Sequence, residues 1–207
     1  REGIELTEIT HHVQNALKNQ ANPSLTMPLL LGEDSSFNEF NHEQILYKAG
    51  LPFADKASFM AYLSSHTHPE ISFTEIFMAY LNAQKAPEIT FTEIFTQAMS
   101  RWQSGQYDSD YDESWQHFLQ RTWNGFERLM AQTGEHEHAM VFTSGGVIAS
   151  IMQQVMKLSD VQALDLNWHI ANASVHQFRV SDQGVFLQTF NEFSYLYQQG
   201  EQMVTWR

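Results

Sequence analysis

The clearest hydrophobic pattern in the chain runs over residues 112–132, where Trp115, Phe118, Phe126 and Leu129 stand at helical spacing among polar positions. Glu113-Ser114 opens the run and Gly134 follows it, so the spacing predicts an amphipathic helix with a defined start and stop. A second helical pattern covers 4–18, with Ile4, Ile9, Val13 and Leu17 as its apolar side. Near the C-terminus the period falls to two. Residues 173–180 and 184–190 predict a hairpin around Ser181-Asp182-Gln183-Gly184, with Val175, Gln177 and Arg179 alternating on one strand and Val185 and Leu187 on the other. Met27–Leu31, after Pro23, reads as a short apolar strand, and the tail 192–207 as helical or irregular.

Residues 140–150 change pattern within a few positions. The apolar run Met140–Thr143 predicts a buried strand, Ser144-Gly145-Gly146 a tight turn, and Val147, Ile148, Ile151, Met152, Val155 and Met156 a helix over 146–157. The first N–H groups of such a helix have no partners of their own and lie at the positive end of its dipole, so they can hold an anion. The plain alternative is a tight connection in an α/β fold.

The middle of the chain repeats itself. Phe59-Met60-Ala61-Tyr62-Leu63 recurs as Phe77-Met78-Ala79-Tyr80-Leu81, and Pro69-Glu70-Ile71 with the following Phe-Thr-Glu-Ile-Phe recurs from Pro87, both at an offset of 18 residues. Two copies are too few for a solenoid, so a tandem duplication within a helical insertion over 55–105 fits better. Thr74 and Thr92 stand where helix N-caps belong. The bulky Phe, Met, Tyr and Ile side chains would pack on the core or on a second subunit, the latter making a homodimer. A lid over a binding site is the sharper reading of the same segment.

The order of these pieces resembles the histidine phosphatase superfamily, the phosphoglycerate-mutase-like proteins. The resemblance rests on Ser36-Phe37-Asn38-Glu39-Phe40-Asn41-His42, then Glu113-Ser114-Trp115, then Thr143-Ser144-Gly145-Gly146, and finally Asn172-Ala173-Ser174-Val175 before a strand. It covers roughly residues 1–45 and 105–195. It implies an α/β domain spanning 1–207, with a mostly parallel central sheet, helices on both faces and the ligand at the C-terminal strand ends near Ser144. It also implies a phosphohistidine mechanism with Glu39 as the acid that protonates the leaving oxygen, and no cofactor or metal. Arg1 matches the arginine that opens the family's second helix. Two departures stand beside the match. Ser144 occupies the place of the family's second active-site histidine, and no Arg-His-Gly segment occurs before Glu39. The expectation is that an N-terminal piece is missing.

Charge narrows the partners. With 11 basic against 24 acidic residues and a net charge of −13, the chain lacks the positive surface that nucleic acid or an anionic membrane requires. A phosphate seat must therefore be made locally, from backbone amides and one or two arginines. The absence of cysteine excludes disulfides, thiolate metal sites and a cysteine nucleophile. No signal peptide is evident and no apolar run approaches the roughly 18 residues of a membrane helix, so the expected location is the cytoplasm.

The candidate chemistry gathers at few positions. Glu39 lies between Phe37 and Phe40, neighbours that would raise its pKa toward use as a proton donor; otherwise it is a loop glutamate. Ser144 can bond a phosphate oxygen, or simply fit the turn, while Gly145 and Gly146 let an anion approach the backbone. Arg1 could hold phosphate through two parallel bonds. Asn172 is expected to satisfy groups in its turn. His66, His68, Glu135, His136, Glu137 and His138 have alternating spacing, but with no third cluster they read as surface residues rather than metal ligands. Ser144 lacks the preceding glycine of a Gly-x-Ser-x-Gly nucleophile elbow. Two functional readings remain: a phosphomonoester hydrolase acting on a phosphorylated small molecule, its nucleophilic histidine supplied from elsewhere, and a non-catalytic relative that binds a phosphorylated ligand or a protein.

Overall fold

The computed structural model describes residues 32–49, 91–135 and 137–206. The chain divides into two units, Arg1–Ser35 and Ser36–Arg207, and every α-helix and β-strand among the described residues lies in the second. The helix expected over 4–18, the strand Met27–Leu31, Arg1 and most of the duplicated segment lie outside the described residues.

Helices dominate the described residues: α1 (His42–Lys48), α2 (Phe91–Gln103), α3 (Trp115–Gln132), α4 (Gly145–Met156), α5 (Asp160–Trp168) and the short α6 (Ser194–Tyr197). Helix α3 matches the strongest sequence pattern. Ser114 caps it by accepting from the His117 N–H at 3.3 Å, and Trp115, Phe118, Leu119, Thr122, Gly125 and Phe126 form its buried stripe. Helix α4 packs beside α3, where the Ser150 hydroxyl donates to Thr122 Oγ1 at 2.8 Å, and it ends at Lys157 in the left-handed region with φ 56°. Helix α5, which hydrophobic periodicity does not reveal, starts with a reciprocal capping box between Ser159 and Gln162. Asp160 at its first turn accepts from Trp115 Nε1 at 2.8 Å and Gln153 Nε2 at 2.7 Å, tying α3, α4 and α5 together.

Trp102 of α2 is the centre of the core, 1% exposed. Its ring centroid lies 5.2 Å from Phe40, 5.1 Å from Trp115 and 5.7 Å from Phe118, and its Nε1 donates to the Glu113 carbonyl at 2.8 Å. Ile94 and Phe95, the last residues of the second repeat copy, are also buried in this core. Because Ile76-Phe77 duplicates Ile94-Phe95, removing residues 69–86 rejoins the chain at an equivalent position and leaves the core pair in place. The shortened protein is expected to unfold cooperatively in urea. A broad, non-cooperative transition would show that both copies are needed.

The hairpin forms where the alternation placed it. Strands β1 (Val175–Ser181) and β2 (Gly184–Glu192) pair antiparallel, with Ser181 opposite Gly184 and Val180 opposite Val185 across a two-residue turn. Gly184 has φ 124°, which requires glycine. The half-buried face of β1 is His176 and Phe178, whereas Val175, Gln177 and Arg179 point to solvent. Phe178 meets Phe126 of α3 edge-on at 5.5 Å.

The strand expected at Met140–Thr143 is corrected. The segment belongs to no sheet among the described residues, and Met140 and Phe142 are 75% and 60% exposed. An apolar run becomes a buried strand only when neighbours pair with its backbone and cover its faces, and no described strand lies alongside. The sole sheet among the described residues is the antiparallel hairpin, so the mostly parallel central sheet is not found there.

His176 carries a pH consequence. Burial lowers its imidazole from 6.5 to about 4. Its Nδ1 accepts from the Asn191 N–H at 3.3 Å, and its other ring nitrogen lies 3.1 Å from Ser174 Oγ, an arrangement suited to the neutral ring. The unfolded chain therefore binds a proton that the folded chain refuses between pH 6.5 and about 4. Stability should fall as pH drops through that window, and His176→Gln should flatten the slope in urea denaturation measured across it. An unchanged slope would place the imidazole in solvent.

Candidate functional site

The segment Ser36–Phe40 is strapped to helix α3 and to the residue just before the α4 turn. Gly125 permits the approach, since a Cβ there would stand 2.5 Å from Ser36 Cβ. One α3 turn on either side of it are arginines. Arg121 donates through Nη1 to the carbonyls of Ser36 at 2.9 Å and Asn38 at 3.1 Å, while its Nε and Nη2 hold both oxygens of Glu113 at 2.6 and 2.8 Å. Arg128 Nη2 donates to Ser36 Oγ at 2.6 Å. From the other side, Thr143 Oγ1 donates to the Phe37 carbonyl at 2.7 Å. Phe40 then buries its ring against Trp102, and Asn41 caps α1 by accepting from the Gln44 N–H at 3.0 Å.

These ties deliver Glu39 to the N-terminus of α4. Its Oε2 accepts from the Gly146 N–H at 3.1 Å, across 107 residues of sequence, and its Oε1 accepts from the Phe40 N–H at 3.1 Å. A Cβ at Gly146 would fall 2.1 Å from Glu39 Oε1 and 2.5 Å from Phe40 Cε1, so glycine is what lets the carboxylate and the ring close on the helix end. Gly145 and Gly146 are both buried as the first two helical residues. Ser144 is the N-cap by position but makes no side-chain capping bond. Its Oγ is shut away from solvent, without a hydrogen-bond partner among the described residues. A serine at this place normally accepts from the second or third N–H of its helix; here the second N–H goes to Glu39.

Of the predicted site residues, the structure brings together Glu39, Ser144, Gly145 and Gly146, and Arg1 lies outside the described residues. The apolar neighbours expected to surround the Glu39 carboxylate are only part of its setting, since backbone N–H groups meet both its oxygens. Glu39 also lines a cleft of about 150 Å³ with Asn41, Gln44, Ile45, Trp102, Asp112 and Glu113. Asn172 bonds Thr205 Oγ1 at 2.9 Å, while the backbone of that turn is satisfied by Asn191, whose Oδ1 accepts from the Ala171 N–H at 2.9 Å. Glu137 accepts from the Gly134 N–H at 2.8 Å, and His66, His68 and His136 lie outside the described residues. No group of three or more metal-ligating side chains converges among the described residues. Arg121, Arg128 and Glu113 escaped the sequence reading as site residues. Their signal is the helical spacing of Arg121, Gly125 and Arg128, which puts two arginines and a gap on one stripe of α3.

Comparison with protein families yields one finding. The family described as histidine phosphatase superfamily (branch 1) matches residues 62–192, a stretch that begins within the first repeat copy and includes Ser144–Gly146 but not Glu39. No curated protein and no solved structure matches the chain.

Proposed function

Because the chain belongs to the histidine phosphatase superfamily (branch 1), we propose that it is a phosphomonoester hydrolase acting through a phosphohistidine. Membership points to phosphatase- or mutase-type chemistry. The observation that supports Glu39 as its acid is the contact between the Glu39 carboxylate and the Gly146 N–H. It sets a carboxyl group at a helix end whose amides attract anions, beside the proposed seat for the phosphoryl group. A mostly parallel sheet with helices on both faces belongs to the same proposal.

In this reading a histidine nitrogen attacks phosphorus, the bond to the ester oxygen breaks, and the protonated Glu39 gives its proton to the departing oxygen. Water then attacks the phosphohistidine and gives a proton to the Glu39 carboxylate as the P–N bond breaks, which releases phosphate and restores both the imidazole and the acid. Ser144, Gly145 and Gly146, with Arg1, would hold the phosphoryl oxygens. The nucleophile belongs to an Arg-His-Gly segment that does not occur in these 207 residues. Among the described residues no base bonds the Ser144 hydroxyl, and it is not a substitute for that nucleophile. A phosphorylated small molecule is the proposed substrate, with the enzyme in the cytoplasm and needing no cofactor.

The second reading, a non-catalytic relative that binds a phosphorylated ligand or protein partner, is favoured by Ser144 standing in the place of the second histidine. Steady-state hydrolysis of phenyl phosphate in the presence of chelator separates the two. A polypeptide of these 207 residues should give no turnover, and the same polypeptide joined to an Arg-His-Gly segment should give slow, metal-independent turnover. No turnover in the joined protein favours the binding reading.

A further inference from the structure

The Gly146 N–H is the second amide of α4, and a carboxylate from a distant segment already holds it. We infer that Glu39 is an internal occupant of the anion seat at Ser144–Gly146, so that a phosphoryl group must displace it to bind. The inference rests on the phosphate seat proposed above and adds a closed state to it.

Three observations carry it. Carboxylate and phosphate oxygens ask the same thing of a helix end, a charge-assisted bond from an unshared N–H. Both cannot accept from the Gly146 N–H in the same place. The local cap, Ser144, leaves that N–H alone, and its own Oγ is enclosed and without a partner among the described residues, a group to which an incoming phosphoryl oxygen would give one. The docking is also held from outside. Arg121 and Thr143 fix the carbonyls of Ser36, Phe37 and Asn38, and the missing Cβ at Gly146 makes room for the carboxylate. Glu39 would then alternate between two places, on the α4 amide when the seat is empty and beside the leaving oxygen when it is filled.

The test is titration of the ¹⁵N-labelled chain with inorganic phosphate, comparing wild type with Glu39→Ala and Glu39→Asp. The alanine removes the occupant and its charge, while the aspartate keeps the charge on a side chain one methylene too short to reach Gly146. In both variants the Gly146 amide should move before any phosphate is added. Phosphate should then shift the amides of 144–147 with an affinity roughly tenfold or more above wild type, as expected when a charge-assisted competitor is withdrawn. Dispersed spectra confirm that each variant is folded. Equal affinity in all three proteins would overturn the inference while leaving the seat intact. Tighter binding in Glu39→Ala alone would overturn it too, reducing the effect to charge repulsion. If phosphate moves no amide near 144–147 in any of them, the seat itself is wrong and the inference falls with it.

Discussion

Joined to an Arg-His-Gly segment, the chain is expected to hydrolyse phenyl phosphate without metal, and Glu39→Gln to slow it by roughly 10²–10⁴-fold. Glutamine matches the shape of glutamate and can still accept from the Gly146 N–H, so the helix end stays capped. What it cannot do is release a proton to the ester oxygen as the P–O bond breaks. The loss should fall on kcat, since the proton moves only in the transition state. Full activity in the glutamine variant would remove Glu39 from the mechanism.

The second large effect belongs to the core. Trp102→Ala should destabilise the protein by about 3–5 kcal/mol, the usual range for emptying a large aromatic site. Trp102 is 1% exposed and touches Phe40, Trp115 and Phe118, and its removal leaves the Glu113 carbonyl without the indole donor. Against a typical total of roughly 5–15 kcal/mol, this is a large fraction of the whole. The same cavity loosens Phe40, the residue next to Glu39, so the site should soften with the core. Urea denaturation measures the first effect. A loss below about 1 kcal/mol would mean that the aromatic cluster is not the centre of packing.

Local chemistry made much of this fold legible. Helix α3 announces itself by a long apolar stripe and a serine cap, α4 by the glycine turn before a helical run, and the hairpin by period-two alternation around a tight turn. Each is decided by residues close in sequence. Helix α5 was legible in principle, through Ser159 and Gln162 at capping-box spacing, but its apolar residues Val161, Ala163, Leu164, Leu166 and Trp168 are spread around the helix and mark no single face. Met140–Thr143 misled for the opposite reason. Its apolar side chains fit a buried strand, yet burial is conferred by partners, and nothing within the segment says whether partners are present. The inward face of β1 was hidden too, since Val175 looks like a core residue and His176 does not, while the structure exposes the first and half-buries the second.

The site divides along the same line. Glu39, Ser144, Gly145 and Gly146 could each be singled out from type and context. That Glu39 reaches Gly146 could not, because the meeting depends on Arg121, Arg128 and Thr143 holding the Ser36–Asn38 segment in place. The internal capping of α4 by a remote carboxylate is a property of that tertiary arrangement, and it bears on the proposed acid and the proposed anion seat together.

The leaving-group dependence of the Glu39→Gln deficit is the most direct test of Glu39 as the proton donor. In the protein joined to an Arg-His-Gly segment, the rates of wild type and variant are compared on phosphate monoesters of increasingly basic alcohols. A nitrophenolate departs with little help, so the deficit there should be small. It should grow steadily toward phenyl and then alkyl phosphates, whose oxygens need a proton to leave. A deficit that is the same for every leaving group would contradict proton donation by Glu39.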